Sequence, residues 1–279
     1  MPDATAVPDL TLHDGVEMPQ LGFGVFQIPP DETQERVEEA LAVGYRHVDT
    51  AAAYRNEAGV GAAIAASGIP REDVFVTTKL WNSAQGYDST LEAFEKSSER
   101  LGTGHVDLYL IHWPLPSRDL YLDTWRAFEK IKEEGGARSI GVSNFRVEDL
   151  ERIEADAEQR PTVNQIELHP RLQQAELRAW HADHDVVTEA WSPLAQGELL
   201  EDETIATIAA HNERTPAQVI LRWHLQLGNV VIPKSATPER IRENFELFGF
   251  ALSEDDMAAI ERLEAGERTG PDPATFSVA

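Results

Sequence analysis

The sequence predicts a parallel (β/α)8 barrel, and three observations carry that expectation. Short apolar runs alternate with helical patterns through eight strand–helix units in 279 residues, the spacing of such a barrel. Three consecutive runs end by delivering Asp49, Lys79 and His112, as strands do when their C-terminal ends line one rim. An open doubly wound sheet would want a G-x-G-x-x-G turn; Gly22-Phe23-Gly24 supplies two glycines, and Gln27 stands where the third belongs. No linker or compositional break divides the chain, so residues 1–279 are expected to form one domain.

The elements follow in chain order. Residues 7–19 read as a β-hairpin, Val7 to Leu12 and Val16 to Met18 around His13-Asp14-Gly15, placed to plug one end of the barrel. Leu21 to Phe26 is the first core strand, its glycines permitting close approach. A helix runs from about Thr33 to Val43, with Val37, Ala40 and Leu41 on one face and Gly44 as its stop. The second unit is Arg46 to Asp49 with a helix over Glu57 to Ala66, and the third is Val74 to Lys79 with Ser89 to Leu101. The fourth strand, Val106 to His112, is near-continuously apolar, as a strand buried on both faces must be; its helix spans Leu122 to Glu134. Then come strand Ser139 to Ser143 with helix Val147 to Ala157, strand Val163 to Glu167 with helix Gln174 to Ala182, and strand Val186 to Trp191. A seventh helix starts at Pro216 with Thr215 as its N-cap. Strand Val230 to Ile232 is the eighth, and two further helices, Pro238 to Phe245 and Glu254 to Leu263, precede a tail containing glycine and proline.

The formal charge of −25 excludes nucleic acid and anionic membrane as partners, since phosphate binding needs a basic footprint. Lysines occur at 79, 96, 130, 132 and 234 only. With no cysteine, disulfides and thiolate zinc sites are ruled out. The start Met1-Pro2-Asp3-Ala4 shows no basic segment leading into an apolar one, and no apolar run is long enough to span a bilayer. A cytoplasmic monomer with a small-molecule substrate is the expectation.

Chemistry gathers around His47-Val48-Asp49-Thr50-Ala51-Ala52-Ala53-Tyr54. Three neighbouring strand ends would bring Asp49 with Tyr54, Lys79 and His112 to one rim. A phenol ionises near pH ~10 unaided. A neighbouring ammonium lowers that value and an Asp holds the ammonium in place, so Tyr54 becomes a candidate general acid over a carbonyl oxygen, which His112 can orient. Alone, each residue has a plain structural reading as a salt-bridge lysine, a loop aromatic or a buried histidine. His181 and His184 are close in sequence but lack a third ligand, and read as surface or C-cap histidines; no metal site is expected.

The motifs together closely resemble the aldo-keto reductase family. They are Gly44-Tyr45-Arg46-His47-Val48-Asp49-Thr50-Ala51, Thr78-Lys79-Leu80-Trp81, Asp107-Leu108-Tyr109-Leu110-Ile111-His112-Trp113-Pro114, Gly141-Val142-Ser143-Asn144-Phe145, Asn164-Gln165-Ile166-Glu167-Leu168-His169-Pro170 and Ile232-Pro233-Lys234-Ser235. The resemblance runs from the hairpin to Phe250. Trp191-Ser192-Pro193-Leu194 and the short tail point, within the family, to the bacterial 2,5-diketo-D-gluconate reductases. The resemblance implies NADPH-dependent reduction of aldehydes or ketones to alcohols by hydride transfer, without a metal. It places the catalytic tetrad on Asp49, Tyr54, Lys79 and His112, the nicotinamide contacts on Ser143, Asn144 and Gln165, and the stacking aromatic on Trp191. It places a 2′-phosphate clamp on Lys234, Ser235 and Arg240, with Asn244 beside the adenine. That clamp follows the last strand and flanks a short helix, where barrels of this kind often bind phosphate; the alternative is a surface pair between Arg240 and Glu243.

Phe23, Trp81 and Trp113 are expected on the substrate pocket wall, with Phe26 and Tyr121 as weaker candidates. The tail from Gly266 offers little bulk for a lid, which suggests an open pocket that accepts varied substrates. Two other functions remain open from the residues: a barrel hydrolase or isomerase using Asp49, Glu167 and His112, and a non-catalytic NADP(H)-binding regulatory protein.

Overall fold

A computed structural model of the chain describes residues 7–278; Met1–Ala4, read above for a leader segment, lie outside them. Two short antiparallel strands come first, β1 (Asp9–Thr11) and β2 (Glu17–Pro19), with Leu10 opposite Met18. There follow β3 (Phe23–Gly24), α1 (Pro30–Val43), β4 (His47–Asp49), α2 (Glu57–Ser67), β5 (Phe75–Leu80), α3 (Tyr87–Leu101), β6 (Val106–Ile111) and α4 (Tyr121–Glu133). The second half is β7 (Ala137–Ser143), α5 (Val147–Asp156), β8 (Val163–Glu167), α6 (Ala175–Asp183), β9 (Val187–Trp191), α7 (Glu203–His211), α8 (Pro216–Gln226), β10 (Val230–Val231), α9 (Pro238–Glu243) and α10 (Glu254–Glu261).

Strands β3 to β10 form one eight-stranded parallel sheet in sequence order. It closes where Leu21 bridges Val231: the Gly22 amide donates to the Val231 carbonyl at 2.8 Å, and the Val231 amide donates to the Gln20 carbonyl at 3.0 Å. The first core strand, expected over Leu21 to Phe26, is regular only at Phe23–Gly24, because the seam is held by these bridging bonds instead of a full ladder. Glycine is required there. A Cβ on Gly24 would sit 2.9 Å from the Ile232 carbonyl oxygen, and one on Gly22 would strike the His47 ring.

The hairpin forms the floor of the barrel. Leu12 and Met18 pack with Phe75, Leu108, Leu110, Val163 and Val230 inside the sheet. Its turn is tied down by Asp14, which accepts from Lys132 Nζ at 2.6 Å and Ser139 Oγ at 2.8 Å. Higher in the barrel the buried residues become polar: His47, Asp49, Thr77, Lys79, Gln165 and Glu189. The larger apolar layer lies between the outer faces of the strands and the helices, with Trp125, Trp223, Tyr109 and Phe128 fully buried.

Helix termini follow local chemistry. Thr215 caps α8 in a reciprocal box with Gln218, ahead of Pro216 in the first turn. Ser253 and Asp256 do the same for α10. Helix α7 is an addition to the expected set. Asp202 caps it by accepting from the Thr204 and Ile205 amides, and Ile205, Ile208 and Ala209 face inward. Its apolar face is short, and it lies outside the regular strand–helix alternation, so the period of the barrel does not announce it.

Helix α2 is built from small residues, and Gly61 lets it lie against the end of α3, where any Cβ would collide with the Leu101 carbonyl. Gly61→Ala is expected to lower stability by about 1–3 kcal/mol through overpacking. Chemical denaturation reads this directly; an unchanged midpoint would show that the two helices can separate without cost.

Candidate active site

The C-terminal ends of β4, β5 and β6 deliver the residues around which the mouth is organised. Lys79 on β5 is fully buried, and its Nζ donates to Asp49 Oδ1 at 2.6 Å and to the Thr50 carbonyl at 2.9 Å. Asp49 ends β4, and a single 3₁₀ turn over Ala52–Tyr54 then carries Tyr54 back over the lysine. The ammonium lies 5.1 Å from the Tyr54 ring centre, and the His112 ring meets Tyr54 edge-on at 5.8 Å. Trp81 closes on the other side of His112 at 5.3 Å. All four residues of the expected tetrad thus converge at one end of the barrel.

The electrostatics refine the expectation for the phenol. Burial pushes the Tyr54 hydroxyl up from its ordinary value, Lys79 opposes that shift, and Asp49 adds to it; the net direction is upward. The lysine therefore limits the rise instead of bringing the phenol below its usual range. Burial, the largest influence, would pull the Lys79 ammonium down, but Asp49, Tyr54 and Glu189 together outweigh it and the net shift is upward. Burial, with Lys79 next in importance, holds His112 well below the ordinary histidine value, so it is a neutral imidazole at neutral pH.

A hydrogen-bonded chain runs from this cluster round the rim. Gln165 Nε2 donates to Asp49 Oδ2 at 2.8 Å and to Glu189 Oε2 at 2.8 Å, and Gln165 Oε1 accepts from no group among the described residues. Ser143 Oγ donates to the Gln165 carbonyl at 2.8 Å. Asn144, held at φ 65°, donates to the His112 carbonyl at 3.0 Å and accepts from Trp191 Nε1 at 2.8 Å. Lys234 and Arg240 are exposed past the end of β10, and neither forms an ion pair with a carboxylate among the described residues, Glu243 included. Ser235 accepts from the Thr237 amide at 3.1 Å, and Asn244 is buried nearby at the end of α9.

Residues 20–265 match the model of the Aldo/keto reductase family. The chain belongs to that family. It is 53% identical over 263 residues to the glyoxal reductase of Bacillus subtilis, covering 94% of this chain and 95% of that one. It is 51% identical over 274 residues to the methylglyoxal reductase DkgA of Yersinia pestis, covering 98% of each. The solved structure of the Gox0644 D53A mutant in complex with NADPH superposes with a TM-score of 0.93 at 51% identity, covering 97% of this chain and 99% of that one. This aldo-keto reductase is accordingly an oxidoreductase.

Three expectations for its pocket need correction. Phe23 does not line the mouth: it is 1% exposed, packed against Tyr45 on the outer face of the sheet, because its neighbours Gly22 and Gly24 take the inward positions. Tyr121 is fully buried against Phe145. Phe26, by contrast, is 53% exposed and stands 5.0 Å from the Tyr54 ring, so it is a wall of the entrance. The tail also does more than its length suggested. Glu167 accepts from the Thr269 amide at 2.6 Å and its hydroxyl at 2.7 Å, Gly270 presses on the Trp191 ring, and Phe276 lies 4.3 Å from Trp113. Asn82 donates to the Val278 carbonyl at 2.6 Å. The chain end therefore walls the mouth on the Trp113 side.

The histidine pair also differs from expectation in part. His181 is buried, bonded to Asn164 and Thr188, while His184 is the C-cap of α6 stacked on Trp180. No helix among the described residues is long and apolar enough to cross a membrane.

Replacing Lys79 by Met leaves Asp49 buried without its cation. The expected loss is about 3–5 kcal/mol, measured by urea unfolding. A loss below about 1 kcal/mol would mean that water reaches Asp49 and that the pair is not dry.

Proposed function

We propose that this protein reduces small aldehydes and ketones to alcohols with NADPH, α-dicarbonyl compounds first among them, as a monomer whose whole chain is one barrel domain. The observation that carries the reading is the convergence of a buried Lys79–Asp49 pair, Tyr54 and neutral His112 at a mouth walled by aromatic side chains. Glu167 supports it from the other side. Spent on the tail, that carboxylate is not free to serve the hydrolase or isomerase alternative.

The residues present fit a dinucleotide phosphate. Among the described residues Lys234 and Arg240 offer unpaired cations, in a chain of net charge −25, Gln165 offers an unused carbonyl oxygen, and Trp191 keeps a partly open ring braced by Asn144. Ser143, Asn144, Gln165 and Trp191 would hold the nicotinamide, and Lys234, Ser235, Arg240 and Asn244 the adenosine phosphate end. Helix α9 has only six residues, so the two cations carry more of the phosphate binding than its dipole does. Bound NADPH supplies a hydride to the carbonyl carbon. Tyr54 gives its proton to the carbonyl oxygen as charge builds there, Lys79 stabilises the phenolate left behind, and Asp49 keeps Lys79 in place. His112 is neutral and so donates one N–H to the same oxygen without competing for the proton.

Relatives named as glyoxal and methylglyoxal reductases support small dicarbonyls as substrates, and a relative solved with NADPH supports the cofactor. The sugar-derived 2,5-diketo-D-gluconate is a larger dicarbonyl whose two ketones are not adjacent. Phe26, Trp81 and Trp113 offer apolar contacts, which discriminate weakly among small substrates.

Tyr54→Phe is expected to lower kcat for methylglyoxal reduction by at least about a hundredfold, while NADPH fluorescence titration gives a nearly unchanged Kd. A variant with most of its turnover would remove Tyr54 as the acid. Arg240→Ala is expected to weaken NADPH binding by about 1.5–3 kcal/mol, the value of a charged hydrogen bond, with little effect on NADH. Equal losses for both would show that Arg240 does not read the 2′-phosphate. In a substrate panel, methylglyoxal, phenylglyoxal and 2,5-diketo-D-gluconate are expected within about a hundredfold of each other in kcat/KM; one of them alone being turned over would point to a closed pocket.

A further inference from the structure

The chemistry above leaves an acid inside the barrel, beside the catalytic cluster, without a role. Glu189 on β9 is fully buried inside the barrel, on the same inward row as Trp191. The single Gln165 amide nitrogen carries Glu189 Oε2 on one proton and Asp49 Oδ2 on the other, each at 2.8 Å. The second oxygen of Glu189, Oε1, has no hydrogen-bond partner among the described residues and lies 3.7 Å from His47 Nε2, which is bonded in turn to Thr77 Oγ1 at 3.1 Å.

Charge counting makes this arrangement informative. The titratable groups that face Glu189 are His47 and Asp49 from β4, Lys79 from β5 and Tyr54 from the turn after β4. Gln165 on β8 and Val230 on β10 are neutral, and Asp107 on β6 acts on His47 from farther away. Two ionised carboxylates would then share one ammonium in a space lined by apolar floor residues, which burial penalises heavily. One proton held beneath Asp49 resolves the imbalance. Burial and the Asp49 charge push the Glu189 carboxyl up to about 8, while burial pulls His47 down to about 4, so at neutral pH that proton sits on Glu189.

We propose that Glu189 is a positioning residue for the proton transfer: through Gln165 it steadies Asp49 on Lys79, and by holding or losing one proton it sets how readily Tyr54 releases its own. The inference rests on the reductase reading of the site. With Glu189 neutral, Asp49 carries the only negative charge near Lys79 among the described residues, and the ammonium is free to support a phenolate. Once Glu189 ionises, its charge raises the Tyr54 hydroxyl further, in the direction already assigned to it. The phenol becomes a poorer acid in reduction. In alcohol oxidation, where phenolate must accept a proton, the base forms only at higher pH.

Glu189→Gln tests this, because glutamine keeps the shape and still accepts from Gln165 but cannot ionise. The readout is the pH profile of kcat for NADP+-dependent alcohol oxidation. The ratio of variant to wild-type rate is expected to rise about three- to tenfold between about pH 6.5 and pH 9.5, a shift of half to one unit in the controlling group. A purely structural role would lower both limbs together. Superimposable profile shapes would overturn the inference while leaving the reductase reading intact; absence of turnover in the wild type as well would overturn both. If the variant does not fold, infrared difference spectra of the wild type decide. A protonated-carboxyl band that disappears between about pH 7 and pH 9 supports the proposal, and no such band overturns it.

Discussion

A buried ammonium governs this structure. Lys79 has no exposed surface, and removing an ion of that size from water costs several kcal/mol unless close, well-placed partners repay it. Asp49 and the Thr50 carbonyl repay it, but only if β4 and β5 lie in the register that sets Asp49 opposite Thr77, with Lys79 two residues further toward the mouth. Asp49 in turn leans on Gln165, which belongs to β8 on a distant part of the sheet. A flat sheet could not make that bond. The site therefore requires closure, and closure requires the two glycines at the seam and the hydrophobic floor supplied by the hairpin.

Much of this was legible in the sequence. The strand ends carrying Asp49, Lys79 and His112, the hairpin around Asp14-Gly15 and the Thr215-Pro216 helix start are local signals with local causes, and the structure has them where they were read. What was misread depended on direction or distance. Phe23 was assigned to the pocket from its position at a strand end, yet strand alternation turns it outward once Gly22 and Gly24 occupy the inward row. Glu189 was passed over for the reverse reason. Alternation through Val187, Glu189 and Trp191 already sets it inside the barrel, but nothing near it in sequence names its partners, which lie 24 and 142 positions away at Gln165 and His47.

The tail illustrates a third kind of difficulty. Glu167 ends β8 as a carboxylate at the rim, the placement expected of a catalytic acid. Beyond the neighbouring His169, its partners Thr269 and Gly270 follow it by about a hundred residues and donate mainly through backbone amides, which no side-chain pattern reports. Those bonds turn a potential reactive group into an anchor. The anchor presses Gly270 onto Trp191 and brings Phe276 to Trp113, so the residue proposed to brace the nicotinamide and a wall of the substrate mouth are held by the same segment. Under that proposal, substrate size and cofactor placement would be coupled through one stretch of chain.

The acidic surface acts on the same site from outside. A net charge of −25 disfavours any anion close to the surface, NADPH included, and beyond about 8–10 Å, the screening length at physiological salt, that repulsion is largely screened. Inside that distance local charges decide, and Lys234 and Arg240 form no ion pair among the described residues where the last strand opens to solvent. The surface ion pairs elsewhere are mostly exposed and contribute little to stability, but they hold many of the other cations in partnership with acids. The division of labour is one of contrast: a shell that disfavours polyanions in general makes a small unpaired basic cluster more selective for an anion of the right shape, because specificity is a difference between affinities. A basic protein with the same clamp would bind its cofactor against far more competition.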